Sequence, residues 1–121
     1  MDIFRFDSDV GKSITQYGSS NVVLSRVLHL TTEAHVRCFH LGVGGVVGYH
    51  QATLPQLFLV VNGTGWVRGE SNKRLAISVG QAAFWAKGEW HESGTADGMM
   101  AMIIEGENLH PEQYMARETR N

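Results

Sequence analysis

The 121-residue chain has one cysteine, Cys38, and only two prolines. A lone thiol cannot close an internal disulfide, so a reducing cytoplasm is the simplest setting. Cys38 itself reads as a small hydrophobe in a strand. No apolar run approaches the roughly 20 residues of a membrane span. The opening stretch, MDIFRFDSDV, is interrupted by aspartates and lacks the apolar core of a secretory signal. Neither charge sign dominates. Ten Lys and Arg face twelve Asp and Glu, with no block of either, which argues against nucleic-acid and membrane partners. Also missing are a Gly-x-Ser-x-Gly elbow, a phosphate-cradling glycine loop and a Cys-x-x-Cys pair.

What is present is globular in composition: 43% apolar and 18% charged. The length suits one domain spanning 1–121, with about two-thirds of its unfolded surface buried. Fourteen glycines punctuate short apolar runs, which favours an all-β chain with tight turns. Residues 1–6 can pin a sheet edge, and 7–20 read as loop. Strands are expected at 21–30, 33–41, 56–62, 66–69, 74–79, 81–86 and 99–104. Asn62-Gly63-Thr64-Gly65 carries a hairpin signal. Pro111 to Arg120 suits a short helix, with proline at its start and arginines at its end. Short strands with frequent turns mean a sandwich or a barrel.

Two stretches organise the rest. In GGVVGYHQATLPQLFLVVNG, five residues separate Gly44 from His50. Ala52, Gln56 and Gly63 then follow at fixed intervals. In GQAAFWAKGEWHESGT, Gly80 is followed by Ala86, Gly88, His91 and Thr95. The spacing resembles the two signature motifs of the cupin superfamily. The first of these is a glycine, five residues, His-x-His, three or four residues, a Glu, six residues and a glycine. The second is a glycine, five residues, Pro-x-Gly, two residues, a His, three residues and an Asn. Four positions depart from it: Ala52 replaces a histidine, Gln56 the glutamate, Ala86 the proline and Thr95 the asparagine. The resemblance implies a jelly-roll barrel, or double-stranded β-helix, with the motifs on facing hairpins. Of the sandwiches and barrels left open by composition, it selects that one.

By the same resemblance, His50, Gln56 and His91 would converge inside the barrel. They are the candidate ligands for one divalent metal ion of unknown identity. Two neutral imidazoles and an amide bring no charge, and sites with two histidines and a carboxylate outperform them. A metal-free polar pocket therefore stands beside a metal site. Phe58, Phe84 and Trp90 join the three as candidate ligand-binding residues, and Trp85 is a further aromatic near the pocket mouth. Glu89 and Glu92 could orient His91 or act as a base, or simply face solvent. His29, His35, His40 and His110 fall outside the motifs, and His40 alone is a substitute ligand. No catalytic residue is assigned. The expected function is binding of a small molecule of unknown identity, and the alternative is a metal-dependent enzyme such as a dioxygenase or isomerase.

The run after Gln56 is apolar on both faces. If Gln56, Phe58 and Val60 point inward, Leu57, Leu59 and Val61 point outward. Left uncovered, that stripe marks an interface, so a homodimer is expected. Residues 1–6 or the 111–120 segment could cover it instead.

Overall fold

The computed structural model describes residues 1–119. Eleven strands follow in chain order: β1 (Asp2–Arg5), β2 (Lys12–Ile14), β3 (Val22–Leu24), β4 (Ala34–Leu41), β5 (Val46–Gln51), β6 (Gln56–Arg68), β7 (Leu75–Ser78), β8 (Gln81–Trp85), β9 (Trp90–Gly94), β10 (Met99–Gly106) and β11 (Ala116–Glu118). One layer runs β11-β1-β8-β6-β10-β4. The other is formed by β7, the C-terminal half of β6, β9 and β5. Every pairing is antiparallel, and β2 and β3 form a separate ribbon. The fold is an all-β jelly roll.

The period of two along each strand sorts its side chains. Phe58 and Val60 of β6 face Ile103 and Ala101 of β10, Ala83 and Trp85 of β8, and Val67 and Ile77 of the second layer. These residues fill the barrel. Each large side chain buried there contributes about 1.5–3 kcal/mol.

β6 is longer than its sequence implies. The Asn62–Gly65 hairpin does not form, and the strand runs on for 13 residues. Up to Gly63 it pairs with β10, and from Thr64 it pairs with β7. A bulge at Val61 and the positive φ of Gly63 (78°) turn it from one layer into the other. A Cβ at Gly63 would overlap the Gly98 carbonyl oxygen, so glycine is needed there for space as well as for torsion.

Other elements depart from expectation too: β2 forms inside 7–20, expected as loop, and β5 and β9 are strands where none is expected. The strand expected over 21–30 shortens to β3, and 25–30 has no regular structure. The helix expected over 111–120 is a 3-10 turn at Pro111–Gln113, followed by β11 (Arg120 lies outside the described residues). The free edge of β1 explains this. Ala116, Arg117 and Glu118 pair with Arg5, Phe4 and Ile3, and so supply hydrogen bonds that β1 otherwise lacks.

The outward stripe of β6 is mostly covered within the chain. Leu57 and Leu59 are buried with Phe4, Ala82, Leu109 and Met115. Only Val61 stays exposed, at the bulge. The C-terminal segment and β1 thus close the face on which the interface argument rested.

Candidate functional site

His50 sits near the end of β5, directly across from His91 of β9. Their ring centroids lie 4.3 Å apart. Gln56 opens β6, between Trp85 of β8 and Glu105 of β10. All three motif residues line one cavity of about 250 Å³, together with Arg37, Ala52 and Glu105. Gln56 and His91 are buried, and His50 is exposed.

Hydrogen bonds set the orientation of each group. His50 Nδ1 lies 2.6 Å from the Gly48 carbonyl oxygen, and His91 Nδ1 lies 3.2 Å from that of Glu89. A carbonyl oxygen only accepts, so in each neutral ring the hydrogen is on Nδ1 and a lone pair is left on Nε2. Gln56 Nε2 donates to Glu105 Oε1 at 3.2 Å. Arg37 lies 3.8 Å from the same oxygen, at the rim. Burial pushes the His91 imidazole below the usual histidine range. The Glu89 carbonyl works against that shift, and His50 adds to it. Beneath His91 the Trp85 ring stacks at 4.3 Å, its Nε1 hydrogen buried without a partner.

A cleft of about 540 Å³ beside the β2–β3 ribbon, lined by Lys12, Arg26 and Tyr114 among others, is larger but holds none of the motif residues. The convergent polar groups are in the smaller cavity.

No family model matches the chain, and no curated protein matches it significantly. Solved structures do. A cupin superfamily protein from Desulfitobacterium hafniense superposes with a TM-score of 0.58 at 14% identity, over 74% of this chain and 82% of that one. A cupin-2 domain protein from Shewanella frigidimarina gives 0.54 at 18%, over 66% and 76%. A predicted oxalate decarboxylase from Thermotoga maritima gives 0.50 at 23%, over 58% and 64%. The chain has the cupin fold.

On this cupin frame the other candidate residues fall elsewhere. Phe58 lies in the core beneath the cavity, edge-on to Trp85 at 5.8 Å. Phe84 packs on the outer cluster with Leu57, because it is one residue out of phase with Trp85. Trp90 is exposed and stacks on Tyr49. Glu89 takes the Met1 ammonium at 2.6 Å, and Glu92 takes Arg68 at 2.7 Å, so neither carboxylate reaches His91. His40 lines a different cleft, with Asn62 and Asp97. Thr95, at the position of the motif's asparagine, donates to the Thr64 carbonyl and accepts from Gly98 N–H, which ties a turn.

Sequence reasoning missed Arg37 and Glu105. The signal for both was phase. Arg37 shares a face with Phe39 and Leu41, and Glu105 shares one with Ala101 and Ile103.

A cupin of full pattern would hold a metal here, and these residues fit one poorly. Two imidazoles and a neutral amide converge, while Glu105 is already engaged by Gln56 and Arg37. Among the described residues, no three His, Cys, Asp or Glu come together in metal-binding geometry.

Proposed function

We propose that this cupin-fold chain, as one domain over 1–121, is a small-molecule-binding protein with its pocket built around His50, Gln56 and His91. The observation that carries this reading is the pair of backbone-held imidazoles. Both have Nδ1 committed to a carbonyl, and both line one cavity with a buried amide. Convergent polar groups in a concave, partly apolar site are the usual marks of a ligand pocket.

The alternative is a metal-dependent enzyme such as a dioxygenase or isomerase. The Nδ1 bonds favour it, since metal-binding histidines are oriented in that way. Against it stands the replacement of a histidine and a glutamate by Ala52 and Gln56. The fold itself does not choose between them. The name of the Thermotoga maritima neighbour supplies one probe, oxalate.

The proposal extends to a cytoplasmic homodimer without nucleic-acid or membrane partners. The lone Cys38 supports the compartment. Val36 and Val61 keep some apolar surface on the outer layer. No helix among the described residues is long and apolar enough to cross a membrane.

Metal analysis of the purified protein, before and after incubation with divalent ions, separates the two readings. The pocket reading expects no stoichiometric metal. It also expects at least one class of small probe, with amines, diols and oxalate compared, to shift amide resonances around His50 and His91. One tightly held ion per chain would favour the enzyme.

A further inference from the structure

The floor of the cavity is rich in hydrogen-bond acceptors. His50 and His91 each spend their ring hydrogen on a backbone carbonyl, so each neutral ring offers only the Nε2 lone pair. Gln56 gives one amide hydrogen to Glu105, which leaves its oxygen and a second N–H. Glu105 is acceptor-only when ionised. Gln51 is also at the wall, and its amide donates to the Gly88 carbonyl. The charged donor is Arg37, which is 61% exposed and leans on Glu105 from the rim. Neither imidazole Nε2 receives a hydrogen bond from the described residues.

Solvent can serve these acceptors while the cavity is open, but an occupant that displaces it has to bring hydrogens of its own, because an acceptor covered without a donor is costly. Resting on the reading of this cavity as a ligand pocket, we infer that its occupant presents several N–H or O–H donors from one head group, as a primary ammonium or a vicinal diol does. An ammonium brings three hydrogens to three acceptors: His50 Nε2, His91 Nε2 and the Gln56 oxygen. Glu105 adds the matching charge. A carboxylate head group would instead set its lone pairs against those of the floor, with Arg37 at the rim and one Gln56 N–H to offset the repulsion. The volume, about 250 Å³, admits a head group with a short chain. Leu54 gives that chain an apolar wall.

The test uses the full chain stripped of metal with a chelator, its histidines labelled with 15N, at about pH 8. Three probes share a three-carbon chain and differ in head group: propylammonium, 1,2-propanediol and propionate. Long-range proton–nitrogen spectra report Nε2 of His50 and His91 directly. The expected result is a saturable shift of both Nε2 signals with propylammonium or the diol, at least threefold tighter than any effect of propionate. Which of the two is tighter distinguishes an amine ligand from a polyol. His50→Ala, at an exposed position that tolerates truncation, should weaken the preferred probe at least threefold. Equal or tighter binding of propionate overturns the inference and leaves the pocket standing. Micromolar or tighter zinc binding at the same two nitrogens, blocking the organic probes, also overturns it. Silence from every probe overturns both the inference and the pocket.

Discussion

Trp85 lies face to face with His91, their planes 25° apart and their ring centres 4.3 Å apart. It forms the shelf on which the buried imidazole rests, and Phe58 meets it edge-on from below. Trp85→Ala should cost about 3–5 kcal/mol, through the cavity it leaves. Trp85→Phe should cost less, because it keeps an aromatic ring and removes an N–H that is buried without a partner. Urea unfolding of the two variants checks the order, and a phenylalanine variant as unstable as the alanine would contradict it.

Acid should weaken the fold through His91. Its folded pKa is lowered, first by burial, so the unfolded chain binds that proton more tightly than the folded one. Stability is then greatest above the ordinary histidine pKa of about 6.5 and falls as pH drops below it, until the folded pKa is passed. The charged groups near enough to act on it are His50, which opposes the proton, and Glu89 and Glu105, which favour it from a distance. The urea midpoint at about pH 5 should lie below that at about pH 7.5. His91→Asn should flatten the difference, and an unchanged slope in that variant would sink the assignment.

Restoring the motif's metal set should create a metal site. Ala52 lines the cavity beside His50, so Ala52→His adds an imidazole there. Gln56→Glu adds a charge, but it sets a second carboxylate against Glu105 where an amide now donates. The single variant Gln56→Glu should therefore lose about 1–3 kcal/mol near neutral pH. In the double variant a divalent ion should reverse that loss and bind at least about tenfold more tightly than to the parent, a difference of about 1.4 kcal/mol. Calorimetry with manganese or zinc reads the affinity. No gain would mean that the two new side chains do not meet.

The outer face calls for two separate variants. Leu59 is buried against Leu109 and Met115, so Leu59→Glu should unfold the chain, at a cost of several kcal/mol, rather than simply split a dimer. Val36 is 57% exposed on the outer strand β4. Val36→Glu should leave the melting temperature within a few degrees and, if the outer layer pairs two copies, reduce the mass seen by light scattering to that of a monomer. A monomeric parent protein would refute the homodimer outright.

That His50, Gln56 and His91 share one cavity was legible because they are spaced along short segments of strand. From Gly44 to Gly63 and from Gly80 to Thr95, fixed intervals carry His50, Gln56 and His91 to one place. Phase was harder to read. Phe84 and Trp85 are neighbours in sequence, and a shift of one residue decides which packs outward and which supports His91. Phase puts Glu105 and Arg37 on inward faces, but no fixed interval ties either to the motif residues. They reach the cavity because β10 pairs with both β6 and β4, and that pairing is set by contacts far apart in the chain. The C-terminal segment misled for a similar reason. PEQYMARETR has good helix ends, but the unpaired edge of β1 offered its backbone a better partner. At Asn62-Gly63 the glycine does bend the chain, but into the second layer rather than back along the first.

Because β6 belongs to both layers, the barrel carries a continuous seam through its wall. Parting the layers there would require new torsions at Gly63, in a space already filled by the Gly98 carbonyl. That side of the barrel cannot act as a door. Ala52 is likewise held, by hydrogen bonds with Glu89 and Gly88. Pro55 is held as well, its carbonyl accepting from Gly106 N–H, so Thr53 and Leu54 are the stretch of cavity wall between two anchored residues. If the cavity takes a ligand, stiffening those two residues should slow its exchange more than it changes the strength with which it is held.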